Sequence, residues 1–293
     1  MLSPICLFTY NRLSETKQTV EALLKNELAA ESDIYIFSDG PKHEKDISLV
    51  NDVRKYIKFI RGFRSITIIE SERNKGLAKS IIDGVTQIVE KYDKVIVLED
   101  DLITSPNFLS FTNQALDFYE KNSNIFSISG YTLNLPSLSK YHKDFYLGVR
   151  ASSCDWATWK DRWNTVDWKV SDYDKFKWNI FKQFQFMKGG SDLPFMLRRQ
   201  MNSKIDFWAI RWCYQQFIKK QFTIFPTISK VQSIGFGSTA THTKNSRRFV
   251  TELDNTCKSI FNFESNIKLE KNIINDFRNK FSILNRISNR LNL

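Results

Sequence analysis

The sequence contains little cysteine and no long apolar run. Its four cysteines, Cys6, Cys154, Cys213 and Cys257, lie far apart and include no CxxC pair. We therefore expect neither a disulfide framework nor a cysteine-based metal site. No stretch approaches the roughly 18–20 apolar residues of a membrane-spanning helix, and the first residues lack the pattern of a secretory signal peptide. These absences predict a reduced, cytoplasmic protein, with peripheral attachment to the inner face of the cell membrane as the alternative.

The composition is that of a globular chain with an excess of positive charge. Hydrophobic residues make up 42% and charged residues 26% of the 293 residues, which is the ordinary globular range. The net charge of +11 favours anionic partners, such as nucleic acid, anionic lipid or a phosphorylated substrate. Aromatic residues make up 14%. They fit either a phenylalanine-rich core or planar surfaces that stack on sugar rings.

Strand and helix signals alternate at the start of the chain. The predicted strands are 4–9, 33–38, 65–70 and 94–98, and the predicted helices are 14–28, 47–60 and 76–92. This alternation predicts an α/β fold with a mainly parallel sheet and helices on both of its faces.

The later part of the chain is less regular. A helix at 108–122, a strand at 125–129, a helix at 208–219 and a strand at 222–228 are predicted, but between 134 and 204 the alternation is lost and tryptophan is frequent. We expect this part to supply longer loops. No repeat or linker interrupts the sequence. We therefore expect 1–130 and 131–262 to form two halves of one domain, followed by a basic amphipathic carboxy-terminal helix, 263–293.

Polar residues follow three of the predicted strands. They are Thr9 to Arg12, Ser38 to Gly40, and Glu99-Asp100-Asp101. Ligands bind at the carboxyl ends of the strands in sheets of this kind, so we expect these side chains to converge. Three adjacent carboxylates repel one another, and Mn²⁺ or Mg²⁺ would offset that repulsion because both prefer oxygen ligands. The alternative is a solvated acidic turn.

The acidic triplet lies in a stretch that resembles a known motif. VIVLEDDL at 95–102, followed by SPNF at 105–108, resembles the EDD version of the DxD motif of GT-A glycosyltransferases. It is most similar in style to the N-acetylglucosaminyltransferases that initiate N-glycan branching and to bacterial family 2-like transferases. PICLFTYNR at 4–12, SDG at 38–40 and NKGL at 74–77 resemble the preceding donor-site segments, in the same order. The resemblance implies a GT-A, Rossmann-like fold.

The resemblance also implies roles for single residues on the donor side. Asp101 would be the principal metal ligand, Asp100 would contact the ribose or the sugar, and Glu99 would contact the hydroxyls of the transferred sugar. Asp39 would accept a hydrogen bond from the base, which is uracil if the donor is a UDP-sugar. The remaining donor-binding candidates are Thr9, Tyr10, Arg12, Arg73, Lys75 and Lys79.

The catalytic base is sought after residue 130. An inverting transferase needs a carboxylate that deprotonates the acceptor hydroxyl. Asp206 lies in a segment that resembles the base-bearing stretch of the N-acetylglucosaminyltransferases, although it also fits an N-cap of the helix that starts at Trp208. Asp155 is the rival. Beside it, Trp156 and Trp159 are either acceptor-binding platforms or core residues.

Two late segments carry further candidates. His242 ends the Gly/Ser/Thr-rich loop 234–242, where it would complete the metal shell, touch a phosphate or lie on the surface. Residues 268–293 combine an apolar helical stripe with Lys and Arg. This amphipathic helix fits either an anionic membrane surface or packing against the domain.

Taken together, these features predict a metal-dependent, inverting glycosyltransferase. It would move a sugar from a nucleotide-diphosphate donor to a glycan or lipid-linked glycan in bacterial surface polysaccharide or lipopolysaccharide synthesis. A nucleotidyltransferase would need a Gly-rich basic loop after the first strand, where this chain has Thr9-Tyr10-Asn11-Arg12. A nucleic-acid-binding protein would not need an acidic triplet at a strand end, so no nucleic-acid partner is expected.

Overall fold

The computed structural model describes residues 1–235, 249, 251–282 and 285. Within them, an eight-stranded sheet has the order β3-β2-β1-β4-β8-β6-β9-β7, and β5 pairs with β10 in a second, two-stranded sheet. The strands are β1 (Ile5–Thr9), β2 (Asp33–Ser38), β3 (Ser65–Glu70), β4 (Lys94–Glu99), β5 (Leu102–Thr104), β6 (Ile125–Ile128), β7 (Phe145–Gly148), β8 (Asp155–Trp159), β9 (Phe222–Pro226) and β10 (Val231–Ser233).

Helices cover both faces of the large sheet. They are α1 (Leu13–Leu24), α2 (Asp46–Lys58), α3 (Leu77–Tyr92), α4 (Phe108–Tyr119), α5 (Lys160–Trp163), α6 (Tyr173–Lys177), α7 (Ile180–Phe186), α8 (Leu193–Met201), α9 (Trp208–Ile218) and α10 (Lys271–Lys280). Apolar residues of α1, α2, α4 and α10 share one core, and those of α3, α8 and α9 share the other. The predicted α/β class is therefore confirmed.

The central strands are apolar on both faces because both faces are covered. In β1, Ile5 and Leu7 face the core that contains α1, whereas Cys6 and Phe8 face the core that contains α3. Near-continuous apolar runs are typical of parallel strands that are buried on both sides. This explains the apolar runs from which the sequence predicts β1 and β4.

Strand register brings the polar strand ends to one edge of the sheet. β1 is parallel to β2 and β4, with Thr9 opposite Ser38 and Phe8 opposite Glu99. β8 is antiparallel to β4 and begins at the same edge, with Asp155 opposite Leu98. The carboxyl ends of β1, β2 and β4 and the start of β8 therefore form one continuous rim.

The region between 134 and 204 is more ordered than the sequence predicts. It contains β7, β8 and the short helices α5 to α8. Both β7 and β8 belong to the large sheet. Chain segments on either side of residue 130 thus contribute strands to the same sheet.

The amphipathic segment near the carboxy terminus packs against the domain where it is described. In α10, Ile273 is 2% and Phe277 6% exposed, and Phe281 just after the helix is also 6% exposed. Residues 283–284 and 286–293 of the predicted helix lie outside the described residues. In the part that the structure describes, no helix is long and apolar enough to cross a membrane.

Packing of α10 predicts that its buried ring stabilises the fold. The ring of Phe277 lies 5.7 Å from that of Phe225, centroid to centroid. Phe277→Ala should lower the free energy of unfolding by about 3 kcal/mol, because a buried phenylalanine leaves a cavity. Denaturant unfolding at equilibrium measures this change.

The matched control for that measurement is Phe59→Ala. Phe59 is 77% exposed, and its truncation should change the free energy of unfolding by less than about 0.5 kcal/mol. Equal effects of the two substitutions would show that α10 does not contribute to the stability of the domain.

Candidate active site

Asp100 and Asp101 share one guanidinium. Arg12 Nη2 lies 2.5 Å from Asp100 Oδ1, and Nη1 lies 2.9 Å from Asp101 Oδ2. The Asp100 and Asp101 side chains are 5% and 17% exposed, so water screens their repulsion poorly. Because Arg12 follows β1 and the carboxylates follow β4, this cation also ties together the ends of the two central strands. The sequence predicted Arg12 for the nucleotide pocket and missed this pairing.

Two carboxyl groups of the acidic triplet, those of Asp100 and Glu99, have raised pKa values. Burial raises the pKa of Asp100 to about 6, against the opposing effect of Arg12. Burial and then the charges of Asp101 and Asp100 raise the pKa of Glu99 well above its usual value. Such shifts are common where burial and like charges are combined in a functional site. Asp100 Oδ2 also accepts hydrogen bonds from the Tyr10 N–H at 3.3 Å and the Thr16 hydroxyl at 3.4 Å.

Asp39 holds the loop from which α3 begins. Its Oδ1 accepts from the Lys75 N–H at 2.9 Å, and its Oδ2 accepts from the Gly76 N–H at 3.0 Å and the Asn74 amide at 3.1 Å. Gly76 has φ +77°, a conformation that favours glycine. The predicted NKG turn is thus fixed against the end of β2 by one carboxylate.

Glycine at position 40 permits the same loop to approach the sheet. A β-carbon there would lie 2.5 Å from the Arg73 carbonyl carbon. The Arg73 side chain itself is exposed. Lys79 Nζ lies 2.9 Å from Asp83 Oδ2 on the surface of α3. The backbone of this loop is therefore part of the rim, while the Arg73 and Lys79 side chains point to solvent.

Two further donor-side candidates lie at the end of β1. Thr9 is buried, and its hydroxyl donates to the Phe37 carbonyl at 3.4 Å. The Tyr10 hydroxyl donates to Asp46 Oδ2 at 3.0 Å and accepts from the Lys42 N–H at 3.0 Å. These contacts hold the start of α2 beside the first strand. Asp46 and Lys42 were not among the predicted residues, since no motif marks them.

β10 closes the rim beside the acidic triplet. The Ile234 N–H donates to the Asp101 carbonyl at 2.9 Å. A β-carbon on Gly235 would collide with Asp101 Oδ2. The start of the predicted Gly/Ser/Thr-rich loop thus contacts the predicted metal ligand. His242 itself lies outside the described residues.

Asp155 is a buried acid at the same edge. Its side chain is fully buried, and the Gly130 N–H donates to its Oδ2. Burial raises the pKa of Asp155 to about 7, although backbone N–H groups of Gly130 and Tyr131 favour the charged form. With no exposed surface, this carboxyl has no access to an incoming hydroxyl in the structure.

The two tryptophans predicted as sugar platforms belong to the core. Trp156 is 1% and Trp159 2% exposed. The ring of Trp156 stacks on Trp163 at 5.4 Å and packs against Trp212 at 5.2 Å. Neither predicted ring has a face open to a sugar, so the platform prediction is corrected. Side chains alternate in direction along β8, so Trp156 and Trp159 pack against helices on opposite faces of the sheet.

Asp206 is exposed and lies just before α9. Its side chain is 69% exposed, and Oδ1 lies 3.4 Å from Arg211 Nη2. The N-cap position of α9 is Phe207, so Asp206 is not the N-cap. Since β9 follows α9 and runs parallel to β6, α9 begins on the side of the sheet where β4 ends. Asp206 therefore lies toward this side of the sheet, with an exposed side chain.

The donor set fits a divalent cation that is shared with a phosphate ligand. Among the described residues, no group of three His, Cys, Asp or Glu side chains is arranged to hold a metal ion by itself. Asp101 is more open than Asp100, and its carboxylate is a hard oxygen donor of the kind that Mg²⁺ and Mn²⁺ prefer. Such ions often take one or two protein carboxylates together with substrate phosphates.

The mixed, largely parallel sheet with a carboxylate rim at its strand ends agrees with the predicted GT-A fold. The family model for glycosyl transferase family 2 matches residues 5–190. That is well over half of the chain, and the chain belongs to this family. Comparison with curated protein sequences gives no match.

Solved structures of glycosyltransferases are similar to the chain at low identity. GalNAc-T7, solved with UDP, GalNAc and Mn²⁺, is 15% identical, with 80% of this chain and 44% of that chain covered and a TM-score of 0.49. For S. aureus TarS, residues 1–349, the values are 10%, 80%, 61% and 0.45. For the mannosyltransferase PcManGT from Pyrobaculum calidifontis, solved with GDP-Man and Mn²⁺, they are 10%, 54%, 44% and 0.40. The aligned part of this chain spans about two-fifths to three-fifths of those three chains.

The buried acid at position 155 predicts a specific dependence of stability on pH. Its pKa is about 7 in the folded chain, against 3.8 for a free aspartate. The folded state therefore binds the proton more tightly, and its advantage is complete below about pH 4 and lost as the pH rises through about 7. Between about pH 5 and pH 8, this one group should cost the wild type about 3 kcal/mol of unfolding free energy.

Asp155→Asn isolates that contribution. The amide cannot ionise, so the variant should lose less stability than the wild type over the same pH interval. Equilibrium unfolding at the two pH values gives both differences. Parallel pH profiles for the two proteins would mean that Asp155 is already ionised at low pH in the native state.

Proposed function

We propose that the chain is a metal-dependent, inverting glycosyltransferase that uses a nucleotide-diphosphate sugar. The observation that carries the proposal is the acidic triplet at the rim, in which Arg12 pairs with the buried carboxylate of Asp100 and with the carboxylate of Asp101, which stays partly open. A solvated acidic turn would not need a cation whose own side chain is only 19% exposed. Family 2 membership supports the same reaction class.

The donor half follows from how the rim is built. The loop held by Asp39 offers a fixed surface for the nucleoside, and a UDP-sugar is the favoured donor. Glu99 and Asp100 contact the sugar and the ribose in this proposal, and the exposed side chain of Lys75, in the loop that Asp39 holds, is the proposed contact to the diphosphate. When bound at Asp101, Mn²⁺ or Mg²⁺ supplies positive charge that stabilises the diphosphate leaving group.

The acceptor half depends on a base. In the proposed reaction, the acceptor hydroxyl oxygen attacks the anomeric carbon, and the bond from that carbon to the diphosphate oxygen breaks. The hydroxyl proton passes to the carboxylate of Asp206. This carboxylate is exposed, whereas Asp155 is buried, so Asp206 is the better base. Attack from the side opposite the diphosphate inverts the anomeric configuration.

A glycan of the bacterial surface is the proposed acceptor. The net charge of +11 favours an anionic acceptor, such as a phosphorylated or lipid-linked glycan or lipopolysaccharide precursor. The enzyme would act at the cytoplasmic face of the membrane, because nucleotide sugars are made in the cytoplasm. No nucleic-acid partner is proposed, because a nucleic-acid-binding protein would not need an acidic triplet at a strand end.

Donor binding is the first test. A panel of UDP- and GDP-sugars, with and without Mn²⁺, should raise the unfolding temperature of the wild type only when metal and the correct donor are both present. A ligand at 100 times its Kd adds about 2.7 kcal/mol. Asp101→Asn should lose this metal-dependent shift, since the amide is a weaker metal ligand.

The control for donor binding is Asp117→Asn. Asp117 is an exposed partner of Lys94, and its substitution should keep the full metal-dependent shift. A shift that Asp101→Asn retains would place the metal elsewhere and contradict the proposal.

The role of Asp206 is tested by turnover. Asp206→Asn should keep the donor-dependent thermal shift and lower kcat by about 10²–10⁴-fold, because the proton acceptor is removed. Asp174→Asn is the matched control, since Asp174 is likewise exposed and pairs with one lysine. Near-normal turnover of Asp206→Asn would exclude it as the base.

A further inference from the structure

Four large apolar side chains are exposed on the surface of the chain within residues 178–184. Trp178 is 81%, Ile180 64%, Phe181 82% and Phe184 65% exposed. We call these four residues the aromatic patch. Single exposed apolar residues are ordinary, but a contiguous group of large ones marks an interaction site.

Helix α7 presents the patch because its other side is anchored. Phe186 is 2% exposed, and its ring lies 4.9 Å from Phe217 and 5.8 Å from Phe176. Ile180 and Phe184 are four residues apart and so share a face of the helix. The buried ring fixes α7 on the domain, and the exposed face has no partner in the described part of the chain.

Positive charge surrounds the patch. Residues 175–188 contain Lys175, Lys177, Lys182 and Lys188 and no Asp or Glu, and all four lysines are exposed. The nearest preceding acid, Asp174, pairs with Lys177 at 2.6 Å. The segment is therefore both apolar and cationic at the surface.

Helix α8 also combines an exposed apolar side chain with positive charge. Phe195 is 45% exposed. The guanidinium carbons of Arg198 and Arg199 lie 5.5 and 5.9 Å from its ring centroid. On α8, as on α7, an exposed apolar side chain lies close to exposed cations.

We propose that the aromatic patch and its lysines form a docking surface for an anionic membrane. Exposed Trp, Phe and Ile side chains insert at the boundary between headgroups and acyl chains, and lysines bind the lipid phosphates. Two copies of the chain would bring like charges together, which opposes self-association through this face. Insertion into a membrane would bury Ile180 together with the three rings, whereas stacking on nucleic-acid bases would use only Trp178, Phe181 and Phe184.

This surface differs from the membrane site that the sequence indicates. The sequence indicates the apolar stripe of residues 268–293 as a possible membrane-binding surface, but Ile273 and Phe277 of this stripe are buried against the domain. The patch is also separate from the residues proposed for donor binding and catalysis. Its helix packs on Phe217 near the end of α9, whereas Asp206 precedes the start of α9. The patch can therefore be changed without touching the rim.

Co-sedimentation of the full chain with lipid vesicles tests the proposal. The chain should bind vesicles of phosphatidylcholine with about 30% phosphatidylglycerol, and bind far less to phosphatidylcholine alone, because the lysines need anionic lipid. The double variant Phe181→Ser and Phe184→Ser should lower the partition coefficient at least about tenfold. Thermal unfolding of the variant should match the wild type, since both side chains are exposed.

A charge variant separates the contribution of the lysines. Lys175→Gln with Lys182→Gln should lower binding to the anionic vesicles by about fivefold per lysine. The matched controls are Phe59→Ser and the pair Lys25→Gln with Lys121→Gln, which remove an exposed ring and two exposed lysines elsewhere. These controls should bind like the wild type.

Three results would overturn the proposal. One is equal binding of the wild type and of the patch variants to anionic vesicles. Another is a dimer, seen by analytical ultracentrifugation, that the Phe181→Ser and Phe184→Ser variant converts to a monomer, since the face would then join two copies of the chain. The third is binding to a single-stranded oligonucleotide that the same variant loses while vesicle binding persists.

Discussion

Three carboxylates follow one another where β4 ends, and Arg12 is the cation that keeps two of them in place. Its guanidinium contacts Asp100 at 2.5 Å and Asp101 at 2.9 Å. Removing one member of a buried pair leaves a charge without compensation, which is far more costly than losing a surface pair. The ends of β1 and β4 depend on each other through this contact, and the register of the central strands positions it.

The two halves of the rim are built differently. On the proposed donor side, Asp39 accepts hydrogen bonds from several backbone N–H groups and Tyr10 holds the start of α2, so contacts within the chain fix this side. On the proposed acceptor side, Asp206 is exposed and contacts Arg211 at 3.4 Å. A prearranged donor surface and an accessible carboxylate suit a reaction in which one substrate is bound firmly and the other must enter.

Local signals in the sequence predicted the first strands of the large sheet well. Apolar runs that end in polar turns defined β1, β2 and β4, and their parallel order implied that Asp39 and the acidic triplet share an edge. The rest depends on contacts between distant segments. Burial of Trp156 follows from its packing against Trp163 and Trp212, which periodicity in a five-residue strand cannot reveal. The spacing of apolar residues correctly predicted a helix at α10. Spacing alone does not distinguish a helix face that packs on the domain from one that binds a membrane.

Gly235 carries no functional group, yet it lies so close to Asp101 that any side chain there would collide with the carboxylate. The two positions are 134 residues apart in the chain, yet a side chain at position 235 requires that the Asp101 carboxylate shift or be replaced. A lineage that replaced Asp101 with a smaller residue would release the constraint on position 235. Reversion to aspartate would then be blocked until the glycine returned. The contact therefore makes loss of the carboxylate harder to reverse, because a later substitution of Gly235 would block the return of aspartate at position 101.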